Sequence, residues 1–402
     1  MTTEGKPTAF DGWATLPNGV PPARVALIGV SGYARVHLDL LLEARERGAI
    51  QLVAAAIINP TQEEAVVTRL RALGCEVFAD FRVMLAVHRG KIDLCCIPTG
   101  IAWHAPMTLA ALEAGANVLL EKPLAGSMAD VGTVRAAEHA ASRFVAVGFQ
   151  DIYSPTTSWF KQQLLDGAIG RLRSVRFTGE WPRATTYYTR NDWAGRLYAH
   201  GTAVVDSPLN NAFAHFVHLG LWLAGPEFHV AASPVSVAAQ LWRSHDIESC
   251  DTALVHAQLS TDIELICAAT HSSRDLIDPE IVIEADGGQA HWRYQHDCTL
   301  TPTGRATAVQ PLPTAMENRR YMFASVLRRL HDPATLICDT ASAEQHSRLI
   351  AAMHANAQIQ TVPPDQIVWM QRPGDTAPVP TIRDLEEMLL AGRRRSGPAP
   401  SY

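Results

Sequence analysis

"EAGANVLLEKPLAGS", residues 113–127, decides how this chain is read. Gly115 closes a helical stretch, and the run from Asn117 to Glu121 is apolar and too short for a helix, so it reads as a buried strand. Lys122 then stands at the carboxyl end of that strand, the edge at which open α/β sheets bind ligands. Pro123 fixes the backbone and blocks further strand pairing. A lysine that follows an apolar strand and neighbours Glu121 reads as a pre-positioned ammonium.

On both sides of this stretch the same grammar repeats. "RVALIG", "QLVAAAII", "IDLCCIP" and "RFVAVGF" are apolar strands, separated by amphipathic helices such as "YARVHLDLLLEARERG". Four of the helices end in glycine, at Gly48, Gly74, Gly90 and Gly115, the residue that adopts the left-handed C′ conformation without a Cβ clash. Strands of this kind alternating with helices imply a parallel sheet covered on both faces. After Gln150 the pattern changes to alternating runs such as "RLRSVRFTGEW" and "EIVIEADGGQAHWRY", which read as a mostly antiparallel sheet. The expected architecture is an α/β Rossmann domain over 21–150 followed by an α+β domain with a large open sheet over 151–390. Flexible tails are expected over 1–20 and 391–402.

Charged residues make up 18% and apolar residues 47% of 402, an ordinary globular composition. A formal net charge of −6 without a basic stripe gives no reason to expect nucleic acid. The Arg393–Arg395 cluster reads as part of a solvated terminus. No leader pattern and no run of about 18 apolar residues is present, so neither secretion nor a membrane partner is expected. Seven cysteines without CxxC spacing read as buried thiols of a cytoplasmic protein, and no metal is expected.

"GVSGYARVH", residues 29–37, follows the first strand and opens the first helix, the context of a dinucleotide fingerprint. Gly29 supplies the tight turn, Ser31 stands where a second glycine is usual, Gly32 follows it, and Ala34 fills the third position. The helix N-terminus beyond Tyr33 would present free N–H groups to a phosphate. At the end of the second strand Asn59 and Pro60 stand where an acidic ribose ligand is usual, so NAD and NADP both remain open as cofactor.

With "ALIGVSGYARVHL", "CCIPTGIAWHAPMTLAALEAGANVLLEKPLA", "VAVGFQDIYSP" and "LLDGAIGRLRSVRF", the chain resembles the glucose–fructose oxidoreductase / inositol dehydrogenase (Gfo/Idh/MocA) family over roughly residues 24–225. The resemblance implies NAD(P)-dependent hydride transfer at a hydroxyl-bearing carbon of a sugar, cyclitol or related polyol. It implies that Lys122 binds the reacting hydroxyl and the nicotinamide ribose, and that a histidine in an Asp-x-x-x-His motif is the acid/base. It also implies a possible homodimer or homotetramer. Around the cofactor edge it points to Pro98, Thr99, His104 and Glu121, with a structural role at a helix start the alternative for His104.

The histidine falls in "DSPLNNAFAHFVHLGLWLAG", residues 206–225. Asp206 or Ser207 reads as an N-cap, and Pro208 suits a first helical turn, so a helix is expected from about 208. Counting from Asp206, Asn210 would occupy the histidine position. Counting back from "LWLAG", His215 occupies it and Asn211 replaces the aspartate, and this second register is preferred. Asn211, His215 and His218 then share one helical face. Asn211 is expected to orient His215 or to bind substrate; Tyr153, Trp193 and His218 are the other substrate-binding candidates. An NAD-retaining glycosidase or lyase and a catalytically silent nucleotide-binding regulator are the alternative functions.

Overall fold

The computed structural model describes Gly19, residues 21–372, 374–375, 377–385 and Leu389. The tails expected at 1–20 and 391–402 lie outside the described residues, Gly19 aside. The first half contains β1 (Ala23–Ile28), α1 (Ala34–Glu46), β2 (Ile50–Ala56), α2 (Glu64–Ala72), β3 (Glu76–Phe78), α3 (Phe81–Val87), β4 (Leu94–Ile97), α4 (His104–Glu113), β5 (Asn117–Leu120), α5 (Met128–Ala141) and β6 (Val145–Val147). The strands pair in parallel in the order β3-β2-β1-β4-β5-β6, the doubly wound arrangement whose direction reverses between β1 and β4. All four residues of β4 and the last three of β5 are buried, as strands covered on both faces require. The four glycines at helix ends have φ between +71° and +86°, the left-handed form that stops each helix and turns the chain toward the next strand.

The second half contains α6 (Pro155–Leu165), β7 (Leu172–Glu180), β8 (Tyr198–Ala199), β9 (Thr202–Ala203), α7 (Ala214–Leu223), β10 (Pro234–Arg243), β11 (Thr252–Leu259), β12 (Glu264–Thr270), β13 (Ile277–Ala285), β14 (Gly288–Arg293), β15 (Asp297–Pro302) and β16 (Ala308–Pro311). It continues with α8 (Ala315–Arg329), α9 (Thr340–Asn356), β17 (Ile359–Thr361), β18 (Ile367–Met370) and β19 (Val379–Ile382). A nine-stranded sheet, β16-β15-β14-β13-β7-β12-β11-β10-β17, is antiparallel except where β7 meets β12 and β10 meets β17. In β7 Val175, Phe177 and Gly179 alternate inward. A Cβ on Gly179 would sit 2.7 Å from the ring of Phe213, so the missing side chain lets the segment entering α7 lie down on the sheet. Lys161 of α6 is fully buried and donates to the carbonyls of Trp222 (2.5 Å) and Val230 (2.9 Å), satisfying acceptors at the carboxyl end of α7.

The two halves touch where the site forms. A Cβ on Gly126, just after Lys122-Pro123, would lie 1.7 Å from the carbonyl oxygen of Ala203 in β9. Ile101, Ala199 and Val204 form a small apolar cluster, with Trp193 packed on it, that joins the loop after β4 to the loop before α7. All seven cysteines are buried and unpaired. Among the described residues no helix is long and apolar enough to cross a membrane.

Candidate active site

The glycine turn meets the loop after β4 at the point where strand order reverses. Gly29 (φ +92°) donates its N–H to the Ala56 carbonyl at 2.9 Å, and a Cβ there would sit 3.6 Å from Thr99. The left-handed residue that follows is Gly32 (φ +58°), so the turn's flexibility lies one residue beyond Ser31. A Cβ on Gly32 would meet no atom within 4 Å, which leaves space above the turn for a phosphate pair. No side chain caps α1, and Ala34 is buried beneath it. The turn therefore fits a dinucleotide held at a helix N-terminus.

Beyond β2 stand Asn59 and Pro60, and the carboxylate beside the glycine turn is that of Glu63. Asn59 is exposed, and its carbonyl accepts the N–H groups of Gln62 (3.1 Å) and Glu63 (3.3 Å). This turn brings the Glu63 carboxylate back to the glycine loop, where it accepts from Ser31 Oγ at 2.7 Å and pairs with Arg35 at 3.3 Å. An acidic pair opening α2 was the available signal; strand-end spacing alone passed it over. Above the turn, Arg319 of α8 donates Nε to the Tyr33 hydroxyl at 3.0 Å, a contact between residues far apart in sequence.

Lys122 leaves the end of β5 half-buried and donates Nζ to both the backbone carbonyl (2.9 Å) and the side-chain oxygen (3.1 Å) of Asn211. Asn211 in turn donates Nδ2 to Asp206 (2.9 Å), whose other oxygen accepts the Gly195 N–H at 2.7 Å. The amide of Asn211 thus connects an aspartate to the lysine, and no hydrogen bond joins it to His215. Its expected role as orienter of His215 is corrected. Asp206 is equally not a cap: it is 3% exposed and committed to Gly195 and Asn211. The α-helix starts at Ala214 rather than near 208. Lys122 takes the Asn211 carbonyl, and Phe213 N–H reaches back to Pro208, so the preceding residues form turns.

Burial first, then Glu121 and Asp206 pulling the other way, leave the Lys122 ammonium below its usual pKa. Glu121 is buried and accepts from His37 at 2.8 Å. Burial opposes its charge, yet His37 and Lys122 outweigh that and hold Glu121 at about 2. Glu121 therefore supports the strand end from beneath, held by His37 and by the Lys122 N–H at 3.2 Å. His215 stands one helical turn beyond Asn211; burial, then Lys122, push its imidazole down to about 3. Its Nδ1 is shielded and without a hydrogen-bond partner.

Three other expectations are corrected by packing. His104 is fully buried, its ring nitrogens 2.6 Å from the Pro123 carbonyl and 3.1 Å from that of Thr99, so it clamps the Lys122 and β4 loops together. His218 is fully buried, stacked on Phe149 at 4.2 Å and bonded to Ser342 Oγ at 3.1 Å. Tyr153 is 5% exposed, and its hydroxyl accepts from the Cys338 N–H at 2.8 Å. Neither reaches a substrate. Pro98 is buried behind Thr99 at the β4 end. Trp193 lies against Gly100, where a Cβ would sit 3.3 Å from its indole nitrogen, so it overhangs the cleft from the second half. Residues that sequence reasoning left out are His37, Glu63 and Arg319, and Asp206 was assigned to capping.

Residues 23–149 match the model of the Gfo/Idh/MocA oxidoreductase family, NAD-binding Rossmann fold. Over that span the chain is similar to the NAD-binding domain of those oxidoreductases. An inositol 2-dehydrogenase of Klebsiella pneumoniae (strain 342) is 25% identical over 306 residues, covering 76% of this chain and 79% of the relative. Among solved structures, an inositol dehydrogenase homologue from Azotobacter vinelandii, complexed with NADH and myo-inositol, superposes with a TM-score of 0.71 at 17% identity, over 83% of this chain and 95% of that one. The WlbA dehydrogenase from Bordetella pertussis, in complex with NADH and UDP-GlcNAcA, superposes with a TM-score of 0.67 at 22% identity, over 83% and 96%. Both share the fold.

Proposed function

We propose that this oxidoreductase is a dehydrogenase or reductase acting on a hydroxyl-bearing carbon of a sugar, cyclitol or related polyol, with NAD favoured over NADP. The supporting observation is the Lys122 ammonium, held on Asn211 at the carboxyl edge of the sheet, one helical turn from a shielded, neutral imidazole on His215. Gly29, Gly32, Tyr33 and Ala34 would hold the dinucleotide, and its nicotinamide would accept or return the hydride.

Lys122 supplies the positive charge beside the hydroxyl oxygen, where negative charge builds as the proton leaves. His215 takes that proton through the nitrogen not enclosed by protein. Burial and Lys122 keep His215 uncharged down to about pH 3, so the form that can accept the proton is present throughout the neutral range, though the same shift makes it a weaker base. The kcat/KM for oxidation should therefore show no fall between pH 8 and 5 traceable to this histidine, unlike a site using an ordinary imidazole near 6.5.

Glu63 supports NAD: its carboxylate borders the glycine turn and already engages Arg35, the nearby cation that a 2′-phosphate would need. The relatives' names, inositol 2-dehydrogenase among them, support the polyol class. A cytoplasmic location accords with seven buried free thiols. A homo-oligomer through the second half belongs to the same reading, supported by exposed apolar side chains such as Val235 (69%) and Leu276 (62%).

The test is a screen of sugars and cyclitols with NAD and NADP, read at nicotinamide absorbance, on wild type, Lys122→Met and His215→Asn. Both variants should lose at least about 100-fold in kcat while still binding NADH. Near wild-type oxidation by Lys122→Met would refute the assignment.

A further inference from the structure

Above Lys122 and His215 stands an arch of alternating rings and guanidinium groups. At one end Trp181 stacks on Phe213 at 4.7 Å, two residues before His215. Arg183 lies 5.9 Å from the Trp181 ring and 4.9 Å from that of Tyr187, and Arg190 lies over Tyr187 at 3.6 Å and 5.4 Å from Trp193. At the other end Trp193 rests on Gly100, at the end of β4. The arch thus runs from the helix that carries His215 to the loop that borders the cofactor crevice.

Among the described residues neither guanidinium forms a salt bridge, although Arg190 lies near enough to Asp206 to favour its charged form. Arg190 donates to the Tyr187 carbonyl and also approaches the Tyr187 hydroxyl, and the Nε of Arg183 is buried without a hydrogen bond. The carboxylates nearby are engaged elsewhere: Asp206 with Gly195 and Asn211, Asp278 with the Trp181 indole, Asp251 with His245, and Asp192 with His200. Stacking an arginine on an aromatic face leaves its N–H edge free, in the planar geometry that binds a carboxylate or phosphate in bidentate fashion. Lys122 adds a third positive charge below, and its own pKa is lowered in part by Arg190. Of the carboxylates that Lys122 and Arg190 sense, Glu121 is taken by His37 and Asp206 by Asn211 and Gly195, so the three cations leave a net positive charge that favours an anion over a neutral polyol.

We propose that the substrate is a sugar or cyclitol bearing a carboxylate or phosphate, which Arg190 and Arg183 receive while Lys122 and His215 act on a ring hydroxyl. This deepens the dehydrogenase reading and rests on it. Turnover is not needed to test it.

The experiment uses the full-length protein loaded with NADH and matched probes: glucose, glucuronate and glucose 6-phosphate, with myo-inositol and its monophosphate. Binding is followed by tryptophan fluorescence, since Trp181 and Trp193 line the arch, and turnover is followed separately. Acidic probes should bind at least about tenfold more tightly than their neutral partners, with affinity falling as salt rises. Arg190→Met should remove most of that preference while weakening the neutral probes far less, and Arg190→Lys should restore only part of it. Arg183→Met should act in the same direction. Comparing the carboxylate and phosphate arms identifies which anion fits.

Failure of both acids to bind more tightly than their neutral partners overturns the proposal, as does an Arg190→Met that weakens neutral and acidic probes equally. Selective binding of acids without hydride transfer would support this proposal and sink the dehydrogenase assignment. Efficient oxidation of neutral probes with no acid preference would do the reverse.

Discussion

Replacing Asp206 with asparagine tests whether the aspartate acts on Lys122 through Asn211. The contacts of 2.9 and 3.1 Å on either side of the Asn211 amide, whose nitrogen and oxygen are about 2.3 Å apart, place the Asp206 carboxylate within about 8 Å of the Lys122 nitrogen. At an effective dielectric near 20, unit charges about 8 Å apart attract by about 2 kcal/mol, and half-exposure of the lysine reduces this to about 1–2 kcal/mol. The substitution is nearly isosteric, but it adds a donor. The introduced amide can keep the Gly195 bond through its carbonyl oxygen, and its nitrogen then faces the amide nitrogen of Asn211. If Asn211 flips to accept from it, a second N–H2 group turns toward the Lys122 ammonium. Either outcome weakens the charged form of the lysine. We expect kcat/KM to fall about 5- to 30-fold at pH 7.5, and the alkaline limb of its pH profile to move to lower pH. The NADH dissociation constant, measured by fluorescence, should stay within twofold, and a melting curve controls for folding. A kcat/KM within twofold of wild type with an unmoved alkaline limb would refute the proposed relay.

Two further substitutions probe parts of the frame. Glu63→Gln removes the carboxylate at Ser31 and frees Arg35, so the ratio of NADPH to NADH dissociation constants should shift toward NADPH by on the order of 10-fold; an unchanged ratio would place ribose selection elsewhere. Lys161→Met tests the buried anchor of α7. Burial lowers Lys161 from 10.5 to about 7, so between those values the unfolded chain holds the extra proton and wild-type stability should rise with pH. Over pH 7 to 9 that rise amounts to roughly 2–3 kcal/mol, measurable by urea unfolding, and it should be absent in Lys161→Met. An identical pH slope in both proteins would sink the assignment.

The sequence made the first half legible because its signals are local. Apolar strands, amphipathic helices and glycines at helix ends act over a few residues, and the structure stops four helices at Gly48, Gly74, Gly90 and Gly115, where their patterns marked the ends. The position of Lys122 followed for the same reason, since a strand end is visible in a single chain. The surroundings of Lys122 did not follow. Asp206 carries every mark of a cap, yet the Gly195 N–H, brought close by a loop that no periodicity announces, claims its carboxylate. Residues 208–213 obey capping and propensity rules until Lys122, 89 positions earlier, takes the Asn211 carbonyl. Glu63 escaped because a turn at Asn59, not strand register, carries it back to Ser31. His218 shares a face with His215 on a helical wheel, but that face meets α9 and Phe149, which seal it. Local chemistry was readable; the long-range bonds that override it were not.

Gly126 determines how the enzyme can open. With 1.7 Å between its virtual Cβ and the Ala203 oxygen, the loop carrying Lys122 and the segment leading to Asp206 touch backbone to backbone. No residue with a side chain fits there unless the two halves part, so one glycine joins the halves at the point where their functional groups meet. Admission of substrate is then left to the arch of Trp181, Arg183, Tyr187, Arg190 and Trp193. The fold thereby separates a fixed floor from an adaptable roof: the chemistry of the floor can stay constant while the roof is rewritten for a different substrate.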